Sequence, residues 1–344
     1  MSGALKLPER LSLAQLPTPL QPLHRLRHEI GGPLIWLKRD DLTGTALSGN
    51  KVRKLEFIVA KAIQEGYSAL VTCGGTQSNH CRATALVAAQ FGLKCHLILR
   101  DDSKSRSLDD QALEMAGNRL LDSLSGASIS VHAPSEYFKH QERLFDDVVD
   151  KYAKQGLKAL AIPTGGSDAT GVWGYFAACE ELKADFETHN ISPQAIVTAT
   201  GSGGTQAGLT AGASHYDLGC PVYGVNVCDN EEWFRKKVGQ DLESWATEYL
   251  KNSMWLRNLE VHIIDGYVGE GYGRINQGVI DTIRKLAQIE AVLLDPVYTG
   301  KAFYGLLNEI KRGRFAADTE VVFIHTGGIF GLFPYASSLL QSTP

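Results

Sequence analysis

Three stretches of this chain bring together residue types that can do chemistry. The first is Leu47-Ser48-Gly49-Asn50-Lys51-Val52-Arg53-Lys54-Leu55-Glu56-Phe57. Apolar residues at Val52, Leu55, Ile58, Val59, Ala62 and Ile63 recur at helical spacing. Ser48 or Asn50 is placed to cap that helix, so Lys51 falls in its first turn. The positive end of the helix dipole opposes an ammonium there. The same field lowers the amine's pKa, which suits a lysine that forms an imine and shuttles a proton. Position alone leaves open a solvated lysine at a helix start.

The second stretch, Thr200-Gly201-Ser202-Gly203-Gly204-Thr205-Gln206-Ala207-Gly208, is a candidate anion site. Its glycines let the backbone turn tightly and aim N–H groups inward, and a helix opening at Thr205 presents its positive end to a phosphate. No Gly-Lys-Ser/Thr follows, so it is not a Walker loop. Gln206 stands where a dinucleotide loop has its third glycine, and Asp217 lies in a turn-like stretch rather than at a strand end. A phosphate fits; a dinucleotide does not. The third stretch, Gly74-Gly75-Thr76-Gln77-Ser78-Asn79-His80, has the same strand-to-helix setting with richer side chains. Ser78 and Asn79 can hold a carboxylate or a ring hydroxyl, or one of them can simply cap the helix. Tyr272 and Tyr298 sit beside flexible glycines, where a phenol serves as acid, base, stacking partner or packing. A lysine able to form an imine, a phosphate cup and a polar loop together suggest pyridoxal phosphate.

The elements that must position these residues alternate along the chain. Leu34–Lys38, Ala69–Cys73, Cys95–Leu99, Ile129–His132, Ala159–Ile162, Ala195–Thr200, Val222–Val227, Ala291–Leu294 and Val321–Ile324 read as strands. Helices read over Cys81–Phe91, Ser135–Gln155 and from Thr205 onward, and residues 1–30 read as a proline-rich lead-in. Continuous apolar strands separated by helices predict parallel sheets covered on both faces. Glycines follow strands at Gly74-Gly75, Gly165-Gly166, Gly201–Gly204, Gly300 and Gly327-Gly328. In such sheets ligands bind beyond the carboxyl ends of the strands, so these loops predict one extended ligand held largely by backbone.

Composition narrows the class. The chain has 344 residues, enough for two domains or one large α/β unit, and a formal net charge of −4. No basic surplus marks a nucleic-acid partner. No apolar run reaches the roughly 18 to 20 residues of a membrane span, and the N-terminus has no secretory core. The six cysteines show no CxxC pair, so a metal site is not expected, and a reduced cytoplasmic setting fits them.

Ser48–Glu56, Gln77–His80, Thr200–Thr205, Asp295–Lys301 and His325–Gly328 occur in one order. This set resembles the D-cysteine desulfhydrase and 1-aminocyclopropane-1-carboxylate deaminase family, over about Leu16 to Leu332. That family belongs to the tryptophan-synthase-β-like, fold type II pyridoxal phosphate enzymes. The resemblance implies a two-domain, three-layer parallel-sheet α/β fold. Residues 1–52 and 166–344 would form the large cofactor-binding domain, and 53–165 a small inserted one. It implies Lys51 as the Schiff-base lysine, Asn79 as partner of the cofactor's ring hydroxyl, and Gly201, Ser202, Gly203, Gly204 and Thr205 as the phosphate cup. Asn50, Tyr298, Thr299 and Thr326 would complete the cofactor's surroundings. Ser78, with Asn79 and His80, would face the substrate carboxylate, between Tyr272 and Tyr298.

Three positions separate the subfamilies in this resemblance. The deaminases carry glutamine, glutamate and leucine where His80, Thr299 and Thr326 stand here. The implied activity is therefore α,β-elimination on D-cysteine, giving pyruvate, ammonia and hydrogen sulfide, in a cytoplasmic homodimer. The alternatives are the cyclopropane deaminase, another β-elimination such as sulfite loss from cysteate, a racemase, a non-catalytic cofactor carrier and a nucleotide-dependent oxidoreductase. Handedness of the substrate comes from the resemblance alone.

Overall fold

The computed structural model describes residues 5–101, 115–250, 256 and 258–340. Two sheets organise them. The larger has six strands: β1 (Leu20–Pro22), β2 (Leu34–Lys38), β7 (Ala195–Thr200), β8 (Val222–Asn226), β9 (His262–Ile264) and β10 (Glu320–Ile324), in the order β1-β2-β10-β7-β8-β9. Five run parallel; β1 pairs antiparallel with β2 at one edge. The smaller is wholly parallel, β5-β4-β3-β6, from β3 (Ala69–Gly75), β4 (Lys94–Arg100), β5 (Ser128–His132) and β6 (Ala159–Ile162).

Alternation along the strands explains the layers, because successive side chains point to opposite faces. Val321 and Phe323 pack with Leu26 of α1 (His24–Ile30), Ile283 of α9 (Gln277–Glu290) and Phe303 of α10 (Thr299–Lys311). Val322 and Ile324 face the other way, onto Leu182 of α6 (Ala169–His189) and Leu209 of α7 (Gly204–His215). In the smaller sheet Leu70 meets α2 (Lys51–Gln64) and α3 (Asn79–Gln90), whereas Val71 meets α5 (Pro134–Ala153). The remaining α-helices among the described residues are α4 (Asn118–Leu124), α8 (Glu231–Trp245) and the short α11 (Ala336–Leu340). Among the described residues no helix is long and apolar enough to cross a membrane.

Three expectations fail. Residues 20–30 are not a loose lead-in but hold β1 and α1. Ala291–Leu294 forms no strand: Ala291 is the left-handed C-cap of α9, and Val292 and Leu294 are buried while Leu293 is exposed. The segment is anchored by side-chain burial and by the contact of Leu293 O with His325 Nε2 at 3.1 Å, and it pairs with no strand among the described residues. Gly300 ends no strand either. It is the second residue of α10, with its N–H on Asp295 O at 2.8 Å.

Candidate active site

The carboxyl ends of both sheets open on one cavity of about 700 Å³. The start of α2 forms part of its floor, held by a buried polar network. Arg53 donates to Asp40 (Nε to Oδ2, 2.8 Å) and to Glu181 (Nη1 to Oε1, 2.7 Å), and Tyr175 donates to Asp40 at 2.5 Å. Burial alone would raise the Asp40 carboxyl, but the Arg53 guanidinium overrides it and holds it below its ordinary value.

Neither Ser48 nor Asn50 caps this helix. Ser48 Oγ donates to Asp41 O at 2.7 Å, and Asn50 Nδ2 donates to Thr205 Oγ1 at 2.9 Å, tying α2 to α7. Lys51 is the first helical residue. Its amine has no hydrogen-bond or ion-pair partner among the described residues, and it faces the cavity. Burial pulls its pKa from 10.5 down to about 8. Desolvation thus acts in the direction expected from the helix dipole.

The loop after β7 lies beside Lys51. Gly203 takes φ +91° ahead of α7, and Gly201 leaves room for the ring of Tyr298, since a Cβ there would lie 2.9 Å from Tyr298 Cε1. Ser167 Oγ donates to Ser202 Oγ (2.8 Å) and accepts from the Gly204 N–H (3.1 Å). Beneath this loop Lys54 donates to Gly165 O (3.1 Å) and Ser167 Oγ (3.3 Å). Burial, and then the charge of Lys51, hold the Lys54 amine well below its ordinary range. Lys237 on α8 also reaches the cavity wall, paired with Asp241.

The loop after β3 works through side chains. Ser78 caps α3 by accepting from the Cys81 N–H at 3.2 Å. Asn79 Oδ1 accepts from Asn118 Nδ2 (3.0 Å) and Arg82 Nη1 (3.4 Å). Its oxygen is thereby engaged, and the Asn79 amide turns its N–H donors to the cavity. Arg82 also donates to Asn118 Oδ1 (3.0 Å) and to Ser48 O (2.6 Å), linking this loop to the start of α2. His80 Nε2 lies 2.9 Å from Thr72 Oγ1, whose only hydrogen goes to Ile162 O at 2.9 Å. His80 must therefore donate from Nε2 and keep a lone pair on Nδ1. Burial and the two nearby lysines hold the ring neutral.

Tyr272 and Tyr298 meet at 2.6 Å between hydroxyls. Burial raises both phenols above their ordinary value, so each keeps its proton. The Arg100 guanidinium lies 5.0 Å from the Tyr272 ring centroid. Thr326 also lines the cavity. Of the sequence-predicted residues, Lys51, Ser78, Asn79, His80, Gly201, Ser202, Gly203, Thr205, Tyr272, Tyr298 and Thr326 line it together. Asn50 and Gly204 stand just behind the wall. Thr299 does not reach it: its hydroxyl donates to Asp295 Oδ1 at 2.7 Å and accepts from the Asp295 N–H at 2.8 Å. That local turn at the start of α10 competes with any ligand for the same hydroxyl.

Sequence reasoning missed Lys54, Ser167, Arg82 and Asn118. Lys54 follows Lys51 at i+3, the spacing of neighbours on one helix face, and was findable. Ser167 and Asn118 carry no local signal, because their partners are distant in the chain.

These residues fit a pyridine ring bearing a phosphate and an aldehyde. The amine of Lys51 is unpartnered, and the hydroxyl of Thr200 is buried at the wall with no partner among the described residues. A Cβ on Gly165 would come within 2.3 Å of Ser202 Oγ and 3.3 Å of Lys51 Nζ, so only glycine leaves both groups uncrowded at this wall. Fold and site together define a fold type II pyridoxal phosphate enzyme. The chain belongs to the pyridoxal-phosphate dependent enzyme family, whose model matches residues 11–327. It is 38% identical over 328 residues to the Arabidopsis thaliana protein named bifunctional D-cysteine desulfhydrase/1-aminocyclopropane-1-carboxylate deaminase, mitochondrial, covering 94% of this chain and 79% of that one. It is 37% identical over 326 residues to D-cysteine desulfhydrase of Salmonella newport, covering 95% and 96%. A solved structure described as an ACC deaminase homologue superposes with a TM-score of 0.84 at 35% identity, covering 96% and 95%.

Proposed function

We propose that this enzyme catalyses α,β-elimination on D-cysteine, releasing pyruvate, ammonia and hydrogen sulfide. One observation carries the choice. The inner wall offers the Thr326 hydroxyl, whereas the carboxylates among the described lining residues, Glu142 and Asp229, are exposed at the mouth. A hydroxyl does not keep a pyridine nitrogen protonated as a carboxylate does. The weaker electron sink suits a substrate whose β-carbon carries a good leaving group. Thr299, which the resemblance gave the same weight, adds nothing directly, since Asp295 engages it.

In this reading Gly201 to Thr205 would hold the phosphate, with Lys54 bracing that loop from beneath through Gly165 O and Ser167 Oγ, Asn79 would donate to the ring hydroxyl, and Lys51 would hold the cofactor. When bound, pyridoxal phosphate withdraws the electron pair left at the substrate's α-carbon. Ser78 binds the substrate carboxylate beside the neutral His80. Lys51, whose pKa of about 8 gives access to the free amine, takes the α-proton. The Cβ–S bond breaks with its electron pair going to sulfur, and the Tyr272–Tyr298 pair supplies the proton that sulfur needs. One water completes the balance to pyruvate, ammonia and hydrogen sulfide. The division into a large domain and an inserted 53–165 domain belongs to the same reading, supported by the smaller sheet lying wholly within Ala69–Ile162. So do the homodimer and the cytoplasmic setting implied by the resemblance.

The second reading, ring-opening deamination to 2-oxobutyrate, is favoured by the Arabidopsis relative's double name. Purified holoenzyme given D-cysteine, L-cysteine and 1-aminocyclopropane-1-carboxylate side by side separates them. Sulfide and pyruvate from D-cysteine alone are expected. 2-Oxobutyrate with little sulfide would select the deaminase instead.

A further inference from the structure

Lys301 is almost wholly buried, yet no carboxylate pairs with it among the described residues. Its ammonium points at three backbone carbonyls: Val268 O (2.7 Å), Gly271 O (2.7 Å) and, more weakly, Val227 O (3.4 Å). An ammonium carries three donors and no acceptor, so this set matches it fully. A buried cation is unfavourable without such partners; an apolar side chain would strip Val268 O of this donor and leave Gly271 O with only the Arg274 N–H at 3.2 Å.

The placement connects two parts of the site. Tyr298 is the residue that leads into α10, and Lys301 follows it by three residues in the first turn of that helix. Val268 O and Gly271 O flank the loop that presents Tyr272. Gly269, Gly271 and Gly273 all have positive φ (+68°, +126° and +69°), so this backbone carries little stiffness of its own. The loop's far side is held where Tyr335 donates to Gly273 O at 2.7 Å. On its near side Lys301 is what ties Val268 O and Gly271 O to α10, since the other bond to Gly271 O, from the Arg274 N–H, lies within the loop itself.

We propose that Lys301 is a positioning residue: it clamps the 268–271 backbone to α10 and so holds the Tyr272 hydroxyl against that of Tyr298. This rests on the reading above for the tyrosine pair, but the clamp itself is read without substrate. Hydrogen exchange of holoenzyme should show amides of residues 266–273 exchanging at least about tenfold faster in Lys301→Met, with strands β3, β7 and β10 unchanged. D-Cysteine turnover should fall in kcat by about tenfold, as it should in Tyr272→Phe, and the double variant should be no slower than the worse single one. Unchanged exchange in the loop overturns the proposal, and so do two effects that multiply. A silent Tyr272→Phe sinks the coupling and the role given to the tyrosines, while sulfide release by the wild-type enzyme tests the reaction separately. If Lys301→Met does not fold, Lys301→Gln keeps donors toward the same carbonyls. Loop exchange between the wild-type value and free exchange is then expected, and a wild-type value overturns the clamp.

Discussion

Lys51 and Lys54 leave the same turn of α2 and end in opposite situations. Both amines are withdrawn from bulk water, and burial lowers both pKa values. Lys54 points away under the glycine loop, onto Gly165 O and Ser167 Oγ. Lys51 points into the cavity and touches no polar partner among the described residues. A satisfied buried ammonium organises its surroundings; an unsatisfied one is a group prepared to react. The chemistry therefore lies in what each amine lacks or has, and three residues along a helix are enough to separate the roles.

The largest break in this comparison is Lys51→Ala. Turnover of D-cysteine should fall by more than about a thousandfold, because the proton-transfer group is lost, while circular dichroism stays native. Lys54→Met should behave differently. It should weaken cofactor binding by about 10- to 100-fold, the value of one or two hydrogen bonds to a charged group, and leave kcat of the fully loaded enzyme within a few-fold. Equilibrium dialysis against pyridoxal phosphate measures the first effect and saturated rates the second. Equal losses of kcat in both variants would erase the distinction.

Gly165→Ala sharpens the picture, since Gly165 O accepts from Lys54 and a Cβ at this position would lie 3.3 Å from Lys51 Nζ. Its φ of +72° strains any other residue, and the added Cβ would lie 2.3 Å from Ser202 Oγ. A stability loss of about 1–3 kcal/mol is expected, with weakened cofactor binding, by urea unfolding of apo and holo forms. Ser78→Ala removes the α3 cap and should cost about 0.5–2 kcal/mol, with a raised KM. The smallest effect concerns pH. Imine formation needs the neutral amine, so reloading of apoenzyme with cofactor should accelerate as pH rises and level off above about 8. The sign for stability follows from the same shift. Between about pH 8 and 10.5 the unfolded chain holds a proton on Lys51 that the fold does not, so this residue's contribution favours the fold increasingly as pH rises.

Much of this arrangement was legible from local pattern. Apolar runs gave eight of the nine expected strands, and the Gly201–Thr205 loop was marked as a candidate anion site because backbone donors need glycines at that spot; the fold sets it on the cavity that Lys51 also lines. Lys51 was legible because a lysine at a helix start is out of place electrostatically. The failures turn on partners that composition does not name. Ala291–Leu294 has a strand's composition, but pairing depends on a neighbour that composition cannot specify. Thr299 carries the right hydroxyl at a telling position, yet the Asp295 turn four residues earlier engages it. Asn118 orients Asn79 from 39 residues away, Arg82 reaches back 34 residues to Ser48 O, and Lys301 reaches back 30 residues to Gly271. The candidate reacting amine is marked by local oddity; the groups that brace its surroundings are defined mostly by partners the fold brings near.

The difference between the two lysines can be read directly. Borohydride reduction of the holoenzyme fixes the cofactor to whichever amine holds it, and peptide mass mapping locates it. A single modified peptide carrying the adduct on Lys51, with Lys54 unmodified, is the predicted result. An adduct on Lys54, or on neither lysine, would contradict the assignment from which every other role in the site follows.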